Sequence, residues 1–126
     1  MDDDLSAGLI GVWRVKRYDD RDTDQEEWVE TYGSAVDGLI IYHESGWLTV
    51  QAAGSDGKLD SYFGRFSVLD ARRTDGDVQG LLNHLIEASS MPELLSVDPA
   101  RPFRLNGDTL ILGDEKTWRR VCERVG

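Results

Sequence analysis

The chain has 126 residues, with 24 acidic against 14 basic and a formal net charge of −10. A single domain of this length buries roughly 65–70% of its unfolded surface around one core. So acidic a surface repels nucleic-acid phosphates and anionic lipid head groups, so no nucleic acid and no membrane is expected as a partner, and a neutral or cationic small molecule suits it better.

The opening "MDDDLSAG" lacks the basic and apolar parts of a signal peptide, and no apolar run approaches the ~20 residues of a membrane span. Residues 4–9 are expected to form a short helical turn, with Asp2 to Asp4 favourable at its start. Strand one is expected at 10–18, with Trp13 and Val15 inside and Arg14 and Lys16 outside. The segment "DDRDTDQEE" is a polar loop, after which "WVETY" can pair briefly. "DGLIIYHESGWLTVQAA" reads as a hairpin, closed by Gly46 in a left-handed conformation. "SYFGRFSVLD" and "DVQGLLNHLIEAS" are two further strands, and Gly64 permits a bend or a close backbone approach. "SSMPELLSVDPARPF" is irregular, broken by Pro92, Pro99 and Pro102. "LNGDTLILG" is a hairpin signalled by Asn106-Gly107, and "TWRRVCERV" is the closing strand. The total is roughly eight to ten short antiparallel strands in one all-β domain, either barrel or sandwich.

Gly11 and Trp13 make a Gly-x-Trp on the first strand, which resembles the lipocalin signature. In that family the Trp plugs one end of the barrel and a basic residue of the last strand packs over it. The resemblance implies Arg119 or Arg120 for that role, by cation–π contact. The order of "GVWRV", "GLIIYHESGWLTVQ", "YFGRFSV", "NHLIEASSMPEL", "RPFRLNGDTLIL" and "TWRRV" resembles bacterial lipocalin-like domain proteins over nearly the whole chain. It implies a closed antiparallel up-and-down β-barrel with an internal pocket for a small, mainly apolar or aromatic ligand, and no particular reaction. Secreted lipocalins have leaders, disulfides and a long helix near the C-terminus. With Cys122 as the lone cysteine, the likeness is to small intracellular relatives, and the cytoplasm is the expected location.

Within such a barrel the candidate ligand-binding residues are Tyr42, Trp47, Gln51, Tyr62, Phe66, His84 and Arg104. Leu82, His84 and Ile86 share a face, so an inward imidazole would stand in an apolar chamber and orient a ligand or move a proton. The plainer reading is a structural His84 bonded to a buried tyrosine or carbonyl. Tyr18 and Tyr32 offer further hydroxyls. Trp47 shares a face with Thr49 and Gln51, either as pocket wall or as surface aromatic, and Tyr62 shares one with Gly64 and Phe66.

No metal or cofactor is expected. Asp20, Asp22 and Asp24 alternate as in a calcium loop, but Gln25 and Thr31 occupy the positions of its glycine and its bidentate glutamate. No zinc spacing, nucleophile elbow, phosphate loop or dinucleotide fingerprint is present. Three functions stay open: a small-molecule binder, a cofactor-free isomerase, cyclase or dehydratase using His84, and a barrel filled by Phe63, Phe66 and Trp47 that works through partner contacts. A homodimer is compatible with each. The apolar segment 91–95 is placed to cover the mouth.

Overall fold

A computed structural model describes residues 5–126; the acidic stretch Asp2 to Asp4 lies outside the described residues. A 3₁₀ turn, Leu5–Leu9, leads into nine strands: β1 (Gly11–Asp20), β2 (Val29–Glu30), β3 (Asp37–Tyr42), β4 (Trp47–Ala53), β5 (Leu59–Thr74), β6 (Asp77–Ser89), β7 (Ala100–Asn106), β8 (Thr109–Leu112) and β9 (Trp118–Arg124). A second 3₁₀ turn, Pro92–Ser96, interrupts the meander after β6. Each long strand pairs antiparallel with the next, and β9 returns to pair with β1, so eight strands close into a barrel. The two-residue β2 extends the sheet beside the end of β1. Closure removes the exposed sheet edges that invite aggregation.

The hairpins form because the turn chemistry sits between runs of alternating apolar residues. Gly46 closes the β3–β4 turn at φ +96°, a conformation costly for residues with a Cβ. At Gly64 an added Cβ would lie 2.0 Å from the Leu85 carbonyl oxygen. Register shifts at Phe63/Gly64 and Val68/Asp70, and another at Val15/Arg17, bend the strands as closure requires.

One end of the barrel is sealed. Trp13 is fully buried in the core cluster that also holds Leu9, Val78, Leu105 and Leu110, and its indole Nε1 donates to the Leu9 carbonyl at 2.9 Å. The basic residue over the indole is Arg124, at 4.4 Å, which corrects the expectation of Arg119 or Arg120. Strand register is the reason. Trp13 lies opposite Arg124, whereas Arg119 and Arg120 lie opposite Asp19 and Tyr18 at the far end of β1. Arg124 also binds the Gly8 carbonyl, the Ile10 carbonyl at 2.9 Å and Asp108 at 3.1 Å. Gly11 is required beside it, because it sits at φ +144° and a Cβ there would stand 2.7 Å from the Gly126 carbonyl oxygen.

Near the other end, Asp19 is inaccessible to solvent. Its Oδ2 accepts from Arg17 Nε at 2.9 Å and Arg119 Nε at 2.8 Å, while Oδ1 has no partner among the described residues. Burial pushes this carboxyl up, but the hydrogen bonds from both arginines hold it below the usual carboxylate range. Arg119 in turn stacks on Trp28 at 4.4 Å, and Arg21 stacks on the same ring at 3.8 Å. This arrangement pins the polar loop after β1 against the barrel. Asp19→Asn removes the charge both guanidinia answer and is expected to cost about 1–3 kcal/mol, read as a lower denaturant midpoint at unchanged m-value.

Candidate functional site

Inward side chains at the end opposite Trp13 do not meet, and they leave a cavity of about 770 Å³. Val15, Ile40, Val50, Ala52 and Leu112 form its apolar wall. Tyr62 and His84 supply polar atoms inside it, and Tyr18, Arg101, Trp118 and Arg120 stand around them. Asp22, Glu26 and Thr117 border the mouth. The turn after β6 contributes Leu94, and Val97 follows it, so part of the apolar segment expected at the mouth does line the cavity.

His84 is carried inward by the alternation of β6, with Leu82 two residues before it, and only 1% of it is exposed. Both ring nitrogens are occupied: the Tyr42 hydroxyl lies 2.6 Å from Nε2 and the Tyr62 hydroxyl 2.8 Å from Nδ1. Burial, with the nearby Arg101 charge, pushes the imidazole down to about 3. The ring is therefore neutral at physiological pH and carries one N–H. One tyrosine donates to the ring and the other accepts from it. Burial drives Tyr42 well above the usual phenol range and takes Tyr62 up to about 12, Arg101 partly opposing the latter. Tyr42 lies outside the cavity lining, its ring edge-on to Phe66 at 4.8 Å between centroids.

Of the seven residues marked from sequence, Tyr42, Tyr62, Phe66 and His84 come together in one inward cluster. Trp47, Gln51 and Arg104 do not join it. On β4 the interior is taken by Leu48, Val50 and Ala52, which leaves Trp47 and Gln51 outside. Trp47 is 40% exposed beneath the Arg65 guanidinium at 4.1 Å, and Gln51 donates its amide to Thr49 Oγ1 at 3.2 Å. Arg104 alternates with the inward Phe103 and Leu105. It points outward to a two-point bond with Glu115, at 3.1 and 2.6 Å.

The residues not marked from sequence are Arg101, Trp118 and Arg120, and Tyr18, considered only as a spare hydroxyl. Arg101 keeps the inward phase of Phe103 and Leu105, a signal the sequence contains. Arg120 is sandwiched by aromatic rings, 3.5 Å above Tyr18 and 5.0 Å from Trp118, and its Nη2 meets Asp20 at 3.2 Å. Cys122 is buried, and burial pushes its thiol up to about 12, the environment of an inert small hydrophobe. Among the described residues no three His, Cys, Asp or Glu side chains gather as a metal site would need, and no helix is long and apolar enough to cross a membrane.

A crystal structure of a lipocalin-like protein from Bacteroides uniformis matches this architecture with a TM-score of 0.50 at 15% identity, over 94% of this chain and 100% of that one. The fold is lipocalin-like. No protein-family model and no curated protein matches the sequence. At that identity the likeness concerns the path of the backbone, and the chemistry of this lipocalin-like barrel is read from its own side chains.

Proposed function

We propose that this protein binds a small, mainly apolar molecule inside the barrel. The observation that carries the reading is the hollow of about 770 Å³, within the ~300–1,000 Å³ range of small-molecule sites. Its apolar inner wall, with polar groups gathered around Tyr62 and at the mouth, suits an apolar body with one polar end. Burying about 200 Å² of ligand apolar surface contributes roughly 5 kcal/mol before association costs. The filled-barrel alternative fails on position: Phe63 and Trp47 are 48% and 40% exposed on the outside, and Phe66 packs beside Tyr42 without closing the hollow.

The catalytic alternative finds less support. Both nitrogens of His84 are engaged by tyrosines, so although the ring lines the cavity it has no uncommitted nitrogen to offer a ligand. The polar atom of the pair that can meet one is the Tyr62 hydroxyl. General acid–base catalysis works best with a pKa near the operating pH. An imidazole near 3 and a phenol near 12 lie far on either side of it. The pair is better suited to holding a neutral polar surface inside an apolar chamber.

Titration with N-phenyl-1-naphthylamine, a neutral fluorescent probe, is expected to give saturable one-to-one binding. Ala52→Phe fills the hollow from its wall and is expected to weaken that binding at least about tenfold with the fold intact. Absence of saturable binding to the parent protein would sink the proposal.

A further inference from the structure

Resting on that cavity reading, we propose that the bound molecule is an amphiphile with a single carboxylate head, held by Arg101 beside Tyr62. Arg101 lies opposite Leu82 across the β6–β7 ladder and shares the inward phase of Phe103 and Leu105. It lines the cavity together with Tyr62 and His84. Its Nη1 donates to the Asp98 carbonyl at 2.7 Å and to the Ala100 carbonyl at 3.3 Å. These two bonds fix the side chain; Nε and Nη2, the second edge of the guanidinium, have no carboxylate or carbonyl acceptor among the described residues, and the protein group near that charge is the Tyr62 hydroxyl.

The other cations of the cavity are already answered. Arg120 meets Asp20 and lies between two rings. Arg21 donates to the Glu26 and Lys116 carbonyls and stacks on Trp28. No carboxylate stands within 4.0 Å of Arg101 among the described residues, while eleven such pairs engage other side chains of either sign. A guanidinium with a free planar edge matches a carboxylate through two parallel hydrogen bonds. Beside it, the neutral Tyr62–His84 pair adds one hydroxyl and no competing charge. Asp20, Asp22, Glu26 and Asp98 also line the cavity, but none stands within 4.0 Å of the Arg101 guanidinium. Asp20 meets Arg120, Asp98 accepts from the Ala100 N–H and Glu26 from Thr23. Salt screens the more exposed of these charges over ~8 Å while screening a partly enclosed pair much less. Net charge acts on approach; the inward arginine acts on the bound head.

Calorimetric titration with decanoate, 1-decanol and decylamine compares three heads on one ten-carbon body. Decanoate is expected to bind at least about tenfold more tightly than either of the others. Arg101→Gln is expected to weaken decanoate about 10- to 100-fold and to change 1-decanol less than about threefold, with Arg101→Lys between. Equal loss for both ligands would make Arg101 a clip for the chain before β7 and overturn the inference, as would 1-decanol or decylamine binding as well as decanoate to the parent protein. If Arg101→Gln does not fold, the order of the three ligands on the parent protein decides alone. Binding of none of them while N-phenyl-1-naphthylamine still binds, or binding without head-group preference, overturns only this inference; failure of the probe as well overturns the cavity reading itself.

Discussion

Acidification from pH 7 to pH 4 is expected to remove about 3 kcal/mol of folding stability through His84 alone. In the folded chain the imidazole titrates near 3, and in the unfolded chain near ~6.5. Between those values the unfolded chain holds a proton that the folded chain refuses, so falling pH favours unfolding. The contribution is complete above pH ~6.5 and declines until pH ~3, below which both forms are charged. The cause is burial first, with the Arg101 charge adding to it; the tyrosine that donates to the ring would also have to turn its hydroxyl hydrogen away before that nitrogen could carry a proton. His84→Gln keeps an amide able to meet one or both hydroxyls and has no charge to gain. Its unfolding free energy, measured against pH beside the parent protein, is expected to lack this slope, with the carboxylate contributions common to both. Parallel profiles, or an imidazole signal that is protonated at pH 5 in the folded protein, would contradict the assignment.

Trp13→Ala is expected to cost about 3–5 kcal/mol, the range for emptying a buried aromatic site. The indole is wholly enclosed, and its loss also strands the Leu9 carbonyl and the face of Arg124. Trp13→Phe keeps most of the volume but loses the N–H bond and part of the cation–π contact, and about 1–2 kcal/mol is expected. Because the plug lies at the opposite end from the cavity, Trp13→Phe should leave N-phenyl-1-naphthylamine affinity within about twofold. Urea midpoints together with probe titrations test both halves; a tenfold loss of affinity would show that the two ends are not independent.

The fold was legible wherever apolar residues alternate between recognisable turns. β6 spans "DVQGLLNHLIEAS" as read from the sequence, and Gly46 closes the turn it was expected to close. The β5–β6 turn carries its own signal in Asp75-Gly76, both at positive φ, and that signal explains why β5 runs on to Thr74. The site was half legible. Trp47, Thr49 and Gln51 share one face, as their alternation indicates, but both faces of β4 contain apolar residues, so composition does not say which face is inside. Arg101 is harder to read because Pro102 and the irregular run before it hide where β7 begins, although counting back from Phe103 puts Arg101 inward and Arg104 outward. The partner of Trp13 depended on the β1–β9 register, and the shift at Val15/Arg17 is invisible in a single strand's sequence. The His84 cluster joins residues 22 and 42 positions apart, which no local pattern connects.

The ladder between β1 and β9 has a consequence for how fast the barrel assembles. Its bonds tie side chains about a hundred positions apart, as between Asp19 and Arg119, so the whole intervening meander must be gathered before this seam gains anything. The entropic toll of closing so large a loop comes before the reward. Folding should therefore fall in the millisecond-to-second range of β-rich topologies, with the zipping of first strand to last among the latest events.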